Sequence, residues 1–171
     1  MTAETWIEKL QLIPHPEGGF YKETYRSSSL MPANTFNDFP SSRNVSTAIY
    51  FLIPSDKFSA FHKIKSDELW FHHAGSSLLI HYFDSSNQIQ TNKLGNDLEN
   101  DEFPQAIVPA NSWFGSEVEK SNSYSLVSCV VAPGFDFTDF ELANREALIL
   151  KYPNDKELIT RLTYASIAPR T

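Results

Sequence analysis

Residues 61–75 read Phe61-His62-Lys63-Ile64-Lys65-Ser66-Asp67-Glu68-Leu69-Trp70-Phe71-His72-His73-Ala74-Gly75, titratable groups set among strand-forming aromatic and aliphatic ones. Side chains of a strand alternate between two faces. A strand over Glu68–His73 therefore places Glu68, Trp70 and His72 on one face and Leu69, Phe71 and His73 on the other. A carboxyl and an imidazole turned into a β-barrel need partners, and that cost is usually retained only at a site. An exposed strand edge explains each of His62, Glu68 and His72 alone equally well. Lys63 and Lys65 alternate with His62 and Ile64 and are expected to point outward as solvated charges.

Working outward, short runs rich in β-branched and aromatic residues predict strands at Ser46–Ile53, Phe58–Ile64, Ser77–Phe83, Gln88–Leu94, Gln105–Val108 and Tyr124–Val131. Seven such strands, Glu68–His73 included, punctuated by Pro, Gly, Asn, Asp and Ser, argue for a sandwich or a barrel. On the N-terminal side, Thr5 with Glu8 reads as a capping box for a helix over Thr5–Leu12, stopped by Pro14. Phe20–Arg26 is extended in character, and the polar stretch Ser27–Asn44 reads as a long loop or lid. The C-terminal end is helical: Asn144, or Thr138 with Glu141, caps one helix running to Tyr152, and Asn154 with Glu157 caps a second. The expected fold is all-β dominated, in one domain over 1–171. An arm and loop (1–45) lead into a barrel body (46–134), and a helical segment (135–171) follows.

Composition narrows the function. The chain has 171 residues, enough for a sizeable core without staples, and carries a formal charge of −7 with no basic stripe, so nucleic acid is not expected as a partner. The single cysteine, Cys129, excludes an intramolecular disulfide and a Cys-cluster zinc site, and in its apolar run it reads as a small buried hydrophobe. The first residues carry two acids and no apolar core of a signal peptide. The longest apolar stretch, Ala48–Ile53, is far short of the roughly 20 residues that cross a bilayer, so a cytoplasmic protein with no membrane partner is expected. The six glycines form no dinucleotide, P-loop or serine-hydrolase motif.

The spacing of His62, Glu68 and Gly75 resembles the first cupin motif, G-x5-H-x-H-x3-E-x6-G, and Pro109–Phe114 echoes the second. The blocks HPEGGFYKETYR (His15–Arg26), SDELWFHHAG, VPANSWFGS and VAPGFDFTDFELANR (Val131–Arg145) are similar to the Cupin_5 family, long filed as a domain of unknown function. The resemblance implies a double-stranded β-helix, or jelly roll, with a ligand in the barrel mouth, and a homodimer that exchanges strands or N-terminal arms. In metal-binding cupins three His and one Glu hold the ion. Here His62 and Glu68 match two of those positions, whereas Ile64 and Phe114 stand at the other two and carry no lone pair. Two protein ligands rarely hold a divalent ion, so no metal or other cofactor is expected, although His72, His15 or Glu17 could supply a missing donor.

What the residues leave is an aromatic pocket with few polar groups. Imidazole titrates near pH 6.5, which suits His62 to act as a base, with Glu68 as its partner or as an acid of raised pKa. The chain is distantly similar to the metal-free dTDP-sugar 3,5-epimerases, in which a barrel His abstracts a proton beside a keto group and a Tyr returns one. Only His62 carries over by position; Tyr50, Tyr82 and Tyr124 are candidates for the second role. Tyr50, Trp70, His72 and Phe114 are expected in the pocket wall, with Trp70 able to stack on a sugar or base ring. Gly18-Gly19 marks a tight turn or a close backbone approach, and Glu17 and Tyr21 could close over the mouth, with Arg26 offering a fork to an anion. Phe135, Phe137 and Phe140 are read as sealing the barrel end, with Asp136, Asp139 and Glu141 solvated or capping. The first reading is thus a metal-independent cupin that binds a small molecule in its barrel, with epimerase or isomerase chemistry on a sugar or sugar nucleotide as its candidate activity and His62 and Glu68 as the candidate catalytic pair. A non-catalytic small-molecule binder and a metal oxygenase or isomerase using His62, Glu68 and His72 stand as alternatives.

Overall fold

The structure is a computed structural model and describes residues 1–165; the end of the C-terminal segment, residues 166–171, lies outside the described residues. The chain opens with helix α1 (Ala3–Leu10), then β1 (Ile13–Pro14), β2 (Phe20–Arg26), β3 (Leu30–Met31), β4 (Arg43–Asn44) and β5 (Thr47–Pro54). The barrel continues through β6 (Phe58–Lys63), β7 (Asp67–Gly75), β8 (Leu78–Phe83), β9 (Ile89–Leu94), β10 (Gln105–Val108), β11 (Phe114–Val118) and β12 (Tyr124–Ala132). A short β13 (Glu141–Leu142) precedes helices α2 (Arg145–Lys151) and α3 (Lys156–Arg161).

Two antiparallel sheets form the body of a jelly roll. One has the order β1-β2-β5-β12-β7-β10 and the other β13-β6-β11-β8-β9. Period-2 alternation decides which side chains meet between them. Phe51 and Ile53 of β5, Trp70 of β7, Ile80 of β8, Phe114 of β11 and Val127 of β12 form the buried layer between the sheets. Outside the five-stranded sheet, Phe61 and Phe83 pack against Leu148, Tyr152, Ile159 and Leu162 of the helical segment, with Phe83 and Tyr152 stacked at 3.6 Å. Outside the six-stranded sheet, α1 and the turn after it cover Leu52 and Leu126 through Trp6 and Leu12.

The local signals placed most elements, with four corrections. Helix α1 is capped by Thr2, whose side chain accepts from the Thr5 N–H, so Thr5 lies in the first turn; the helix ends at left-handed Gln11, ahead of Pro14. Asn144 caps α2 by accepting from the Ala147 N–H at 2.9 Å, but Asn154 lies in a 3-10 turn and α3 has no side-chain cap. Strand β11, absent from the sequence reading, runs between β6 and β8. Its Gly115 fits closely there, since an added Cβ would sit 3.0 Å from the Ser59 carbonyl and press the β6 backbone away. Finally, Asp139 is not solvated: it is 9% exposed and receives Arg43 at 2.5 and 2.8 Å. This pair fastens the 27–44 segment, which also carries the β3–β4 ladder, to the 136–140 turn.

Candidate functional site

A cavity of about 330 Å³ opens between the sheets at the end where β6 leaves and β7 begins. Ile49 and Phe51 of β5, Ile64 after β6, and Val131 of β12 give it aliphatic and aromatic walls, and Phe135 and Phe137 close over it from the turn after β12. Its polar groups are His15 and Glu17 from the arm before β2, His62 of β6, Glu68 of β7 and, toward the mouth, Glu23, Arg26 and Asp136.

The arm is brought inside by backbone contacts. The Ala60 N–H donates to the Glu17 carbonyl at 2.7 Å, and the Tyr164 hydroxyl donates to the same oxygen at 3.1 Å. Gly18 follows at φ +113°, where a Cβ would meet the Phe58 carbonyl at 2.1 Å, so only glycine permits this approach.

Glu17 is buried and fully engaged. Ser59 donates to its Oε1 at 2.8 Å, and its Oε2 lies 3.1 Å from His62 Nε2 and 3.4 Å from His15 Nδ1. The other ring nitrogen of His62, Nδ1, is 2.7 Å from the Ala60 carbonyl. A carbonyl can only accept, so Nδ1 carries the proton of the neutral ring and Nε2 is left as an acceptor. Glu17 Oε2, 3.1 Å away, faces that lone pair, an approach of two acceptors that a protonated carboxyl relieves. The electrostatics agree: burial, and then the charge of Glu68, push the Glu17 pKa well above the usual carboxyl range. Burial lowers His62 to about 4, and burial with the neighbouring His62 lowers His15 to about 3. Both imidazoles are neutral near pH 7, and burial favours the protonated form of the acid between them.

Glu68 differs. It is 8% exposed and forms no ion pair among the described residues. Burial raises its pKa to about 7, offset only in part by the Cys129 thiol and the Trp70 indole, whose N–H stays short of a formed hydrogen bond. His15 Nδ1 accepts from the Glu17 N–H, which leaves Nε2 to carry the proton on a pocket-lining ring.

The structure brings together His62, Glu68, Glu17 and Tyr21 of the residues singled out in the sequence. It leaves the other four out of the lining. Trp70 shares the inward face but sits one layer deeper, packed on Phe51 and Phe114 at 6.0 and 6.3 Å. Phe114 lies behind His62, ring to ring at 4.0 Å. Tyr50 points to the opposite face of β5 from Ile49 and Phe51, where its ring meets His73. His72 is four residues along β7 from Glu68, roughly 13 Å of extended chain, and is held by Asn96 and the Ser76 carbonyl. Arg26 lines the mouth but is committed to Glu23 at 2.7 Å and to Asn44 at 2.8 Å. Sequence reasoning missed Cys129 and Val131 as wall residues, although alternation along β12 puts both on the inward face; Phe135 and Phe137, read as sealing the barrel end, do close over the cavity.

The family comparison decides the class. Residues 4–143 match Cupin_5, described as the cupin superfamily's DUF985. The chain belongs to the Cupin_5 family. This cupin is 35% identical to the uncharacterized protein YML079W of Saccharomyces cerevisiae over 143 residues, 78% of this chain and 71% of that one. Among solved structures, it is similar to protein SO0799 of Shewanella oneidensis, with 38% identity and a TM-score of 0.87 over 97% of this chain and 99% of the other. A hypothetical protein from Leishmania major is equally close in shape: 36% identity, TM-score 0.87, 96% of this chain and 99% of that one. Oxalate decarboxylase of Bacillus subtilis shares the fold alone, at 15% identity and a TM-score of 0.54, over 87% of this chain and 36% of that one. The family is one of unknown function.

Cupins as a superfamily suggest a metal centre, and the residues here do not fit one. Among the described residues no three of His, Cys, Asp and Glu converge so as to hold an ion. Ile64 lines the cavity where a ligand would be needed, both nitrogens of His62 are engaged, and His72 lies at the far end of its strand. Among the described residues no helix is long and apolar enough to cross a membrane.

Proposed function

We propose that this cupin binds one ring-sized small molecule in its barrel and exchanges a proton with it without a metal, as an isomerase or epimerase does. The observation that carries the reading is the pairing of a buried carboxyl without an ion-pair partner among the described residues, Glu68, with a closed acid–imidazole unit, Glu17–His62, in one cavity. A carboxyl whose pKa stands near the working pH is suited to both giving and taking a proton. In this reading Glu68 exchanges the proton, and His62 acts through Glu17, holding that carboxyl protonated and oriented. The size supports a single ring: about 330 Å³ lies at the low end of ligand pockets. A sugar nucleotide is less well served, because its diphosphate would find Arg26 already paired and two neutral imidazoles.

The test is a thermal-shift screen of ring-sized metabolites, followed by NMR of each hit in D₂O. Deuterium appearing at a carbon of the ligand, lost in Glu68→Gln at ligand concentrations that still fill its site, is the expected result. Uptake undiminished in Glu68→Gln refutes the role of Glu68. A second reading, a non-catalytic binder, is favoured by the internal engagement of both His62 nitrogens; binding with no deuterium uptake would establish it.

We also propose that the uncovered part of the six-stranded sheet pairs with a second copy. In register across five strands run Ile107, Leu69, Val130, Ala48 and Tyr25, an apolar row that α1 does not reach. Ile107 and Tyr25 are 51% and 54% exposed, more than an isolated protomer usually leaves in a contiguous row. Sedimentation velocity should show a dimer that Leu69→Lys converts to a monomer; a monomeric parent protein would overturn this.

A further inference from the structure

The reading of the cavity as a ligand site leaves open what chemistry it selects, and the charges around it answer that. Four carboxyl groups and one guanidinium line it: Glu17, Glu23, Glu68 and Asp136 against Arg26. Arg26 is held by a bidentate contact to Glu23, at 2.9 and 2.7 Å, so the cation is already satisfied. At the mouth, Asp136 accepts from the Thr138 N–H and hydroxyl, contacts that lower its pKa and keep it ionised. At the floor, Glu68 is more than nine-tenths buried and forms no ion pair among the described residues, with only the Cys129 thiol and the Trp70 indole as weak donors beside it. Between floor and mouth stand the rings of Tyr21, Phe51, Phe135 and Phe137. Aromatic faces attract cations, and more strongly where water is excluded. Carboxylates at both ends with rings between them repel anions and have a vacant place for a positive charge.

Resting on that site assignment, we propose that the ligand is an organic cation, a one-ring primary or secondary ammonium, whose nitrogen pairs with the Glu68 carboxylate while its ring lies among the aromatic walls. Binding then requires Glu68 to ionise, so a proton leaves as the cation enters. The other groups facing Glu68 do not obscure this between pH 6 and 8. His62 on β6 and His15 on the arm stay neutral, burial favours the protonated form of Glu17, and burial beside Glu68 raises the Cys129 thiol on β12. Glu68 passes from about one-tenth to about nine-tenths ionised over that interval, so affinity for a permanent cation rises about tenfold. The cation also leaves Glu68 in its basic form beside the ligand, the form that proton abstraction needs.

The test uses three probes of one shape, benzylamine, benzyl alcohol and benzoate, titrated into the full chain by calorimetry and by amide NMR. Benzylamine is expected to bind at least tenfold more tightly than the alcohol at pH 8, with benzoate weakest and with shifts at Ile49, Phe51 and Val131. Its affinity should rise about tenfold from pH 6 to pH 8. At pH 7, calorimetry in two buffers of different ionisation enthalpy should show about half a proton released. Glu68→Gln should abolish the release and the pH dependence. If that variant folds poorly, Asp136→Asn should weaken benzylamine several-fold and leave the release unchanged. Preference for benzyl alcohol or benzoate, with shifts still at the cavity, overturns the cation assignment and preserves the site. No cavity shift with these probes or any hit of the metabolite screen overturns both. Benzylamine binding unaffected by Glu68→Gln overturns the inference alone.

Discussion

Replacing Glu68 by Gln should make the protein more stable, and increasingly so as the pH rises. The native carboxyl titrates near 7, against 4.5 for the unperturbed group. Between these values the folded chain holds a proton that the unfolded chain has released. Stability therefore falls with rising pH, by about 1.4 kcal/mol per pH unit for each proton so held. Over this window the loss is on the order of 3 kcal/mol, complete once the pH exceeds the folded pKa. Gln has nearly the shape of the protonated acid and does not titrate. Whatever constant offset the amide introduces, the variant should gain on the parent by that amount between pH 4.5 and 8. For a chain of this size the gain corresponds to roughly 6–12 °C in Tm. Calorimetric melts of both proteins at half-unit intervals measure it, and the pH-dependent difference isolates Glu68 from every other titrating group. A difference flat across the range would refute the claim that Glu68 sits buried and unpaired.

His62→Asn should behave with the opposite sign. The imidazole is held neutral with a pKa of about 4, so it contributes a rise in parent stability between pH 4 and 6.5, and the variant should lose that rise in the same melts. Arg43→Met strands Asp139 with only Lys65, 3.2 Å away, and should cost roughly 2–4 kcal/mol in urea unfolding, because the pair lies just below the surface. Gly18→Ala must displace the Phe58 carbonyl or abandon φ +113°. A loss of about 2 kcal/mol or more is expected, together with a changed His62 ring signal in NMR as the arm withdraws Glu17.

The strands were legible because alternation and punctuation are local. The eight-residue β5 and nine-residue β12 announce themselves by β-branched and aromatic content. Strand β11 was not legible because Gly115 and Ser116 lower its propensity, and its place is decided by neighbours on both sides. The same parity that predicted Glu68 and Trp70 on one face of β7 would have excluded Tyr50 from the cavity, had it been applied to β5 with Ile49 and Phe51 facing in. Parity alone could not exclude His72, which is on the predicted face but too far along the strand. Asp139 read as solvated because its partner, Arg43, lies 96 residues away.

The least legible feature is the one that assigns the chemistry. His62 read as a base because imidazole titrates near pH 6.5 and because the metal-free epimerases that the chain resembles use a barrel His. The structure gives its Nδ1 to the Ala60 carbonyl and its Nε2 to Glu17, a residue 45 positions earlier whose arrival depends on Gly18 and on the Ala60 N–H. An imidazole with both nitrogens so committed has no lone pair to offer a ligand; what it can do is keep its neighbour's proton in place. Glu17, once protonated, is neutral, and a neutral Glu17 is what allows Glu68 to ionise nearby at all, since two buried carboxylates would each raise the other's pKa. In the proposed function His62 thus acts on a ligand at two removes, by fixing the charge of Glu17 and thereby the titration of Glu68. Its loss should move the pH dependence of ligand binding more than the affinity at any one pH.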